Sequence, residues 1–137
     1  MVRDGTYLVG TTAMITEEDI TKRDADNRPM ILFQAELYRI RVEKKDVISP
    51  YLLLGILNSP VVQRQIRCKQ FTRGVIDTLG PRINELILPI PKNEREKRKY
   101  EEEIKEIIKK RAEYRKKMRE IGLKIVPKNL DHKWKFE

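Results

Sequence analysis

The side chains with the clearest chemical capacity in this sequence are basic, and they come in two sets. Lys22, Arg23 and Arg28 lie in a polar stretch over residues 16–29, and Arg64, Arg67, Lys69 and Arg73 lie in and just after a short helical pattern. Lysine and arginine at loop tips or on a solvent face neutralise phosphates, and arginine can also read guanine through two hydrogen bonds. The same residues serve as solvated surface charge where no polyanion is met. Groups for bond-making chemistry are scarce. There is a single histidine, His132, and there is no glycine-rich phosphate loop, paired histidine or nucleophile motif. Cys68, the lone cysteine, lies on a basic helix beside Arg67 and Lys69, but a lone helical cysteine usually serves packing. It has no internal disulfide partner, and with one histidine it cannot complete a zinc site. The acidic runs Glu17-Glu18-Asp19 and Glu101-Glu102-Glu103 lack the spacing to hold a metal from two directions and read as helix starts or salt-bridging surface. The expectation is a chain that is not an enzyme, with no cofactor and no metal.

The overall balance points the same way as the basic sets. In 137 residues, 30 Lys and Arg oppose 21 Asp and Glu, a net charge of +9, which suits a protein that meets a polyanion. Charged residues reach 37% and apolar ones 39%, so the core is modest and the length fits one domain. Through residue 91 there are 13 basic and 11 acidic residues, and beyond it 17 and 10, so the excess is concentrated in the second part. The first residues lack the apolar core of a signal peptide, and no run approaches the ~20 apolar residues that span a bilayer. A cytoplasmic protein without a membrane partner is expected.

The elements that must position these residues follow from caps and periodicity. Residues 6–10 read as a strand, 16–29 as a surface excursion with one helical turn, and 30–42 as the clearest strand. In that strand the inward phase moves from Ile31, Phe33, Ala35 and Leu37 to Tyr38, Ile40 and Val42, which predicts a bulge or a change of packing partner. Ser49-Pro50 and Ser59-Pro60 each pair an N-cap serine with a proline at the first helical position. The first helix, 51–57 (YLLLGIL), is apolar nearly all round and must be buried. The second turns Val62 and Ile66 inward and Gln63, Arg64, Arg67 and Gln70 outward. Turns at Arg73-Gly74 and Gly80-Pro81 lead to an edge strand over 86–90, expected to share a sheet with 30–42.

A long helix then opens at Asn93, with Glu96 in the capping-box position. Tyr100, Ile104, Ile107, Arg111, Tyr114, Met118 and Ile121 alternate spacings of four and three, a heptad seam that implies a coiled-coil partner. To Ile121 it would run about 43 Å, with Gly122 as its C-cap. The predicted fold is α+β: a small mixed sheet with two short helices, followed by a long C-terminal coiled-coil-type helix. The predicted division is a body over 1–91, an assembly helix over 92–122 and a flexible tail over 123–137, whose Trp134 and Phe136 could dock on a neighbour.

The run YLLLGILNSP over residues 51–60, the helix through Gln70, the turn RGVIDTLG over 73–80, INELILPIP over 83–91 and the long charged helix resemble a known family. They are similar to the target recognition domains of bacterial and archaeal restriction-modification systems, found in the DNA specificity subunit of type I systems and at the carboxyl end of related N6-adenine DNA methyltransferases. The resemblance covers roughly residues 39–121, and Arg73 and Gly74 match a glycine-bearing stretch of the family. It implies a surface on the body that reads double-stranded DNA. It also implies a spacer helix that packs against a second recognition domain or docks a methyltransferase subunit; a homodimer through the same helix is a further expectation. The methyltransferase motif Asn-Pro-Pro-Tyr and a glycine-rich loop for S-adenosylmethionine are absent from this sequence, so methyl transfer is expected on another chain or a missing region. The expected function is a DNA-binding recognition module that positions a methyltransferase or endonuclease partner. The alternative is a protein–protein assembly adaptor that uses the heptad helix without reading DNA. Binding of structured RNA has no aromatic-rich stacking motif in its favour.

Overall fold

The computed structural model describes residues 1–5, 8–20, 23–73 and 76–125. It is α+β: helices α1 (Pro50–Leu57) and α2 (Pro60–Lys69), an antiparallel hairpin of β1 (Phe71–Arg73) and β2 (Ile76–Thr78), a 3-10 helix Gly80–Glu85, and a long helix α3 (Glu94–Ile125). Two compact units are distinguishable, one spanning Met1–Ile104 and one that begins at Lys105.

Both Ser-Pro signals act as read. Ser49 Oγ accepts from Leu52 N at 3.1 Å and Ser59 Oγ from Val62 N at 3.4 Å, so each satisfies one orphan donor of its helix, with proline occupying the first helical position. α1 buries Leu52, Ile56 and Leu57, and α2 buries Val62 and Ile66. With Val9 and Leu79 these form the core, onto which Tyr38, Ile48, Ile83, Leu86 and Leu88 pack. Val62, Ile66 and Leu79 are fully buried, each contributing roughly 1.5–3 kcal/mol of transfer free energy.

Two glycines are fixed by this packing. Gly10 has φ +87°, and a Cβ there would lie 2.8 Å from Ile66 Cγ2. Gly55, inside α1, has no side chain because Ile104 of α3 occupies its place: a Cβ would meet Ile104 Cδ1 at 2.4 Å.

The sheet differs from the expected one. Residues 1–5 pair locally, with Val2 N donating to Thr11 O and Gly10 N to Val2 O, both at 2.9 Å, and also join two more distant segments. On one side Asp4 bridges Thr78, Gly5 N donates to Asp77 O (2.9 Å) and Leu79 N to Arg3 O (3.1 Å). On the other, Val2 bridges Leu37, Arg3 N donates to Glu36 O (2.7 Å) and Tyr38 N to Met1 O (2.8 Å). Of the expected strand over 30–42 only Leu37 forms a bridge. The phase change at Leu37 and Tyr38 marks a turn, closed by Leu37 N donating to Gln34 O at 3.2 Å, and Met30, Ile31, Leu32 and Phe33 ahead of it are exposed. Alternation makes a strand only where a neighbour supplies hydrogen bonds, and residues 30–34 have no such neighbour among the described residues.

Residues 86–90 are likewise no strand. Ile87 N donates to Gln65 Oε1 and Gln65 Nε2 donates to Ile87 O, both at 2.9 Å, so a side-chain amide of α2 replaces the neighbouring peptide. Pro89 and Pro91 lack the donors a ladder would need. In the expected strand over 6–10, Leu8–Gly10 form a turn, and Thr6 and Tyr7 lie outside the described residues.

Asn93 caps α3: its Oδ1 accepts from Arg95 N (2.8 Å) and Glu96 N (3.4 Å). It does not stop at Gly122 but runs through it to Ile125, 32 residues or about 48 Å. One glycine costs a helix about 1 kcal/mol relative to alanine, too little to end it against good helix formers on both sides, and the stronger stop in the sequence is Pro127.

Candidate nucleic-acid interface

The inward pair Val62 and Ile66 fixes the rotation of α2. At ~100° per residue, Arg67, Arg64 and Cys68 then lie about 140°, 200° and 240° from Val62, on the outward face. All three are exposed, so Cys68, read as packing, is a surface thiol instead.

The C-terminal end of α2 carries a second cluster. Lys69 Nζ donates to Glu85 Oε2 at 2.8 Å, and this hydrogen bond holds the Glu85 carboxyl below its ordinary range. Arg82 Nη1 donates to Lys69 O at 3.3 Å, placing a cation at the negative end of the helix dipole, while its guanidinium lies 5.2 Å from the Phe71 ring centroid. The structure therefore places Arg64, Arg67 and Lys69 on one helix, with Arg82 and Phe71 at its end. Arg73 follows in β1, its side chain outside the described atoms. Sequence reasoning missed Arg82 because its partners, Lys69 and Phe71, are remote in the chain, and Gly80-Pro81 beside it signals only a turn.

The other set is organised differently. Arg23 pairs with Glu17 and donates from Nη1 to Asn27 O at 2.9 Å, and Arg28 pairs with Asp26 at 3.1 Å. Asp24 Oδ1 accepts from Asp26 N (3.0 Å) and Arg28 N (2.7 Å), and Asn27 takes φ 60°, so 24–28 is a tight turn presenting neutralised arginines. Lys22 lies outside the described residues. Glu17–Asp19 is a 3-10 helix start, as expected, with Thr16 N and Oγ1 donating to Asp19 Oδ2 at 3.0 and 2.9 Å.

Beside the hairpin lies an open cleft of about 890 Å³. Its polar groups satisfy one another. Arg3 donates to Asp4 at 2.7 Å, Thr78 Oγ1 donates to Asp4, Gly80 N donates to Thr78 Oγ1 at 3.1 Å, and Tyr38 OH donates to Gly80 O. The Asp4 carboxylate raises the Arg3 pKa, and burial pushes the Tyr38 phenol up. This network ties residues 1–5 to 38 and 78–80, a structural task.

The assembly seam is divided. Ile104 is half-buried against Gly55, and Tyr100 is exposed. In the unit that begins at Lys105, Ile107, Tyr114, Met118 and Ile121 are exposed, Arg111 is half-buried, and Ile108, outside the predicted stripe, is the buried residue of the helix. Lys117 Nζ lies 5.8 Å from the Tyr114 ring centroid. No helix among the described residues is long and apolar enough to cross a membrane. Comparison with protein-family models, with curated proteins and with solved structures returned no match.

Proposed function

We propose that the chain is a DNA-binding target recognition module of a restriction-modification system, working in the cytoplasm and positioning a methyltransferase or endonuclease partner on double-stranded DNA. The observation that carries the reading is the outward face of α2. Arg64 and Arg67 are exposed there, followed at the helix end by Lys69 and by Arg82 over Phe71. Cations held on a rigid helix fit phosphates along one groove edge, and arginine adds the capacity to read guanine. The net charge of +9 supports encounter with a polyanion.

The test is duplex binding measured against salt. Replacing Arg64, Arg67 and Arg73 together by alanine is expected to weaken binding and flatten the plot of log affinity against log salt by about 2–3, roughly 0.9 per lost phosphate contact. An unchanged slope in a folded variant refutes this surface. Selection from a random duplex library separates a reader, which enriches one sequence, from a nonspecific binder.

A second reading has its own support. The exposed apolar residues of α3 favour an assembly adaptor that uses the helix without reading DNA. Duplex affinity that stays weak and sequence-independent would favour it.

A further inference from the structure

From Lys105 onward α3 presents a narrow stripe of Ile107, Tyr114, Met118, Ile121 and Ile125, whose exposures run from 50% at Ile121 to 74% at Ile125. A groove of about 570 Å³ lies along it, lined by Ile107, Lys110, Arg111, Tyr114, Arg115 and Met118. The spacing is heptad: Ile107, Tyr114 and Ile121 occupy d, and Arg111, Met118 and Ile125 occupy a. The flanks follow. Every g position, Lys110, Lys117 and Lys124, is lysine, and Arg115 is at e. Between residues 105 and 125 nine basic residues oppose three acidic ones, and Glu106, Glu113 and Glu120 all occupy c, away from the seam.

These flanks decide the occupant. In a parallel pair of identical helices g meets e of the other strand, setting Lys110 against Arg115; in an antiparallel pair g meets g and e meets e, setting lysine against lysine and arginine against arginine. Both arrangements place like charges across the seam, so a second copy is disfavoured. Nucleic acid would match the charge but leave the apolar stripe in water. A membrane surface calls for a broader apolar face than this seam, which Arg111 interrupts.

We infer that residues 107–125 of α3 dock an amphipathic helix of another protein whose heptad flanks are acidic. Its apolar positions cover Ile107, Tyr114, Met118 and Ile121, its carboxylates face Lys110, Arg115 and Lys117, and one of them meets Arg111 at the seam. Lys110 already donates to Glu106 at 2.8 Å within its own helix, so it would exchange or share that carboxylate. The inference names the chemistry of the assembly partner and does not depend on whether α2 reads DNA.

The test uses the full chain and two synthetic helices with isoleucine and leucine at a and d. One carries glutamate at every e and g, the other lysine. The chain alone is expected to sediment as a monomer. The glutamate peptide should form a one-to-one complex with a gain of helical circular dichroism, binding about ten- to a hundredfold more tightly than the lysine peptide, with the difference shrinking in high salt. Ile107→Asp should abolish the complex. Because that change could also fray the helix, the variant Lys110→Glu, Arg115→Glu, Lys117→Glu provides a second measurement: it should invert the preference toward the lysine peptide. The chain with Arg64, Arg67 and Arg73 replaced by alanine should bind the glutamate peptide as the wild type does, which separates this surface from α2. A stable homodimer, equal binding of both peptides, binding of neither, or no inversion overturns the inference. So does binding of phosphatidylserine-containing vesicles that Ile107→Asp eliminates.

Discussion

Alanine at position 55 tests the junction of α1 and α3 with a competition of two known effects. In a helix interior alanine is favoured over glycine by about 0.8–1.0 kcal/mol, so an unobstructed Gly55→Ala would stabilise the chain by that amount. The added Cβ would meet Ile104 Cδ1 at 2.4 Å, whereas Ile104 Cγ1 stands at 3.5 Å, an ordinary contact. Cδ1 ends a side chain, so it can swing away at an off-rotamer cost of order 0.5–1.5 kcal/mol. The two terms cancel, and Gly55→Ala alone should change stability by less than about 0.5 kcal/mol. Ile104→Val removes the offending atom and keeps the contact at 3.5 Å; alone it should cost roughly 0.5 kcal/mol, the low end for a half-buried site. In that background Gly55→Ala should recover its full gain of about 1 kcal/mol, giving a coupling near 1 kcal/mol. Urea unfolding of the four proteins, followed by circular dichroism, measures each term. Additivity, with Gly55→Ala stabilising wild type and Ile104→Val equally, would show that Ile104 does not rest on Gly55.

Gln65→Leu should destabilise by about 1 kcal/mol and speed hydrogen exchange at the Ile87 amide, which loses its acceptor; exchange that stays slow would mean another group holds that segment. Tyr38→Phe leaves the Gly80 carbonyl without the phenol donor and should cost about 1 kcal/mol at neutral pH, read from the shift in the urea midpoint. The same residue sets a pH dependence. Burial raises the folded phenol above its ordinary value of 10.0, so the folded state holds the proton longer. Stability fully present below that pH is lost as pH rises through the folded value, and the Tyr38→Phe midpoint should fall less over the same alkaline range. Glu85→Gln removes the carboxylate paired with Lys69; on the proposed function it should strengthen duplex binding and steepen the salt dependence by about one ion, as fluorescence anisotropy would show.

Features carried by neighbours in sequence were legible from it. Ser49-Pro50 and Ser59-Pro60 start helices because cap and proline act within a single turn, and the four-residue step from Val62 to Ile66 assigns the inward face of α2, whereas Gln63, read as outward, donates from Nε2 to Gly10 O at 3.2 Å and Leu57 O at 2.7 Å. Strand assignment failed where it needed a distant partner. Residues 30–42 alternate well enough, yet the backbone groups that pair with 36–38 belong to residues 1–3, and Ile87 pairs with a side chain of α2. The basic site was half legible: Arg64 and Arg67 follow from periodicity, whereas Arg82 becomes part of it only through Phe71 and the end of α2. The heptad located the stripe but not which turns the body uses. That required Gly55, whose missing side chain admits Ile104.

The position of residues 1–5 between β2 and residues 36–38 sets an order of events on the ribosome. This segment emerges ahead of all its partners, and the last of them arrives late: the bond between Thr78 and Asp4 spans 74 residues. At about 5–20 residues per second, roughly 4–15 s pass between synthesis of the two ends. During that interval α1 and α2 can begin to form from local contacts, while the central segment has its pairing with Gly10 and Thr11 and with 36–38 but lacks β2. The body therefore closes as a unit only after β2 emerges, and a slow codon placed ahead of residue 76 would lengthen the time its backbone stands open to wrong partners.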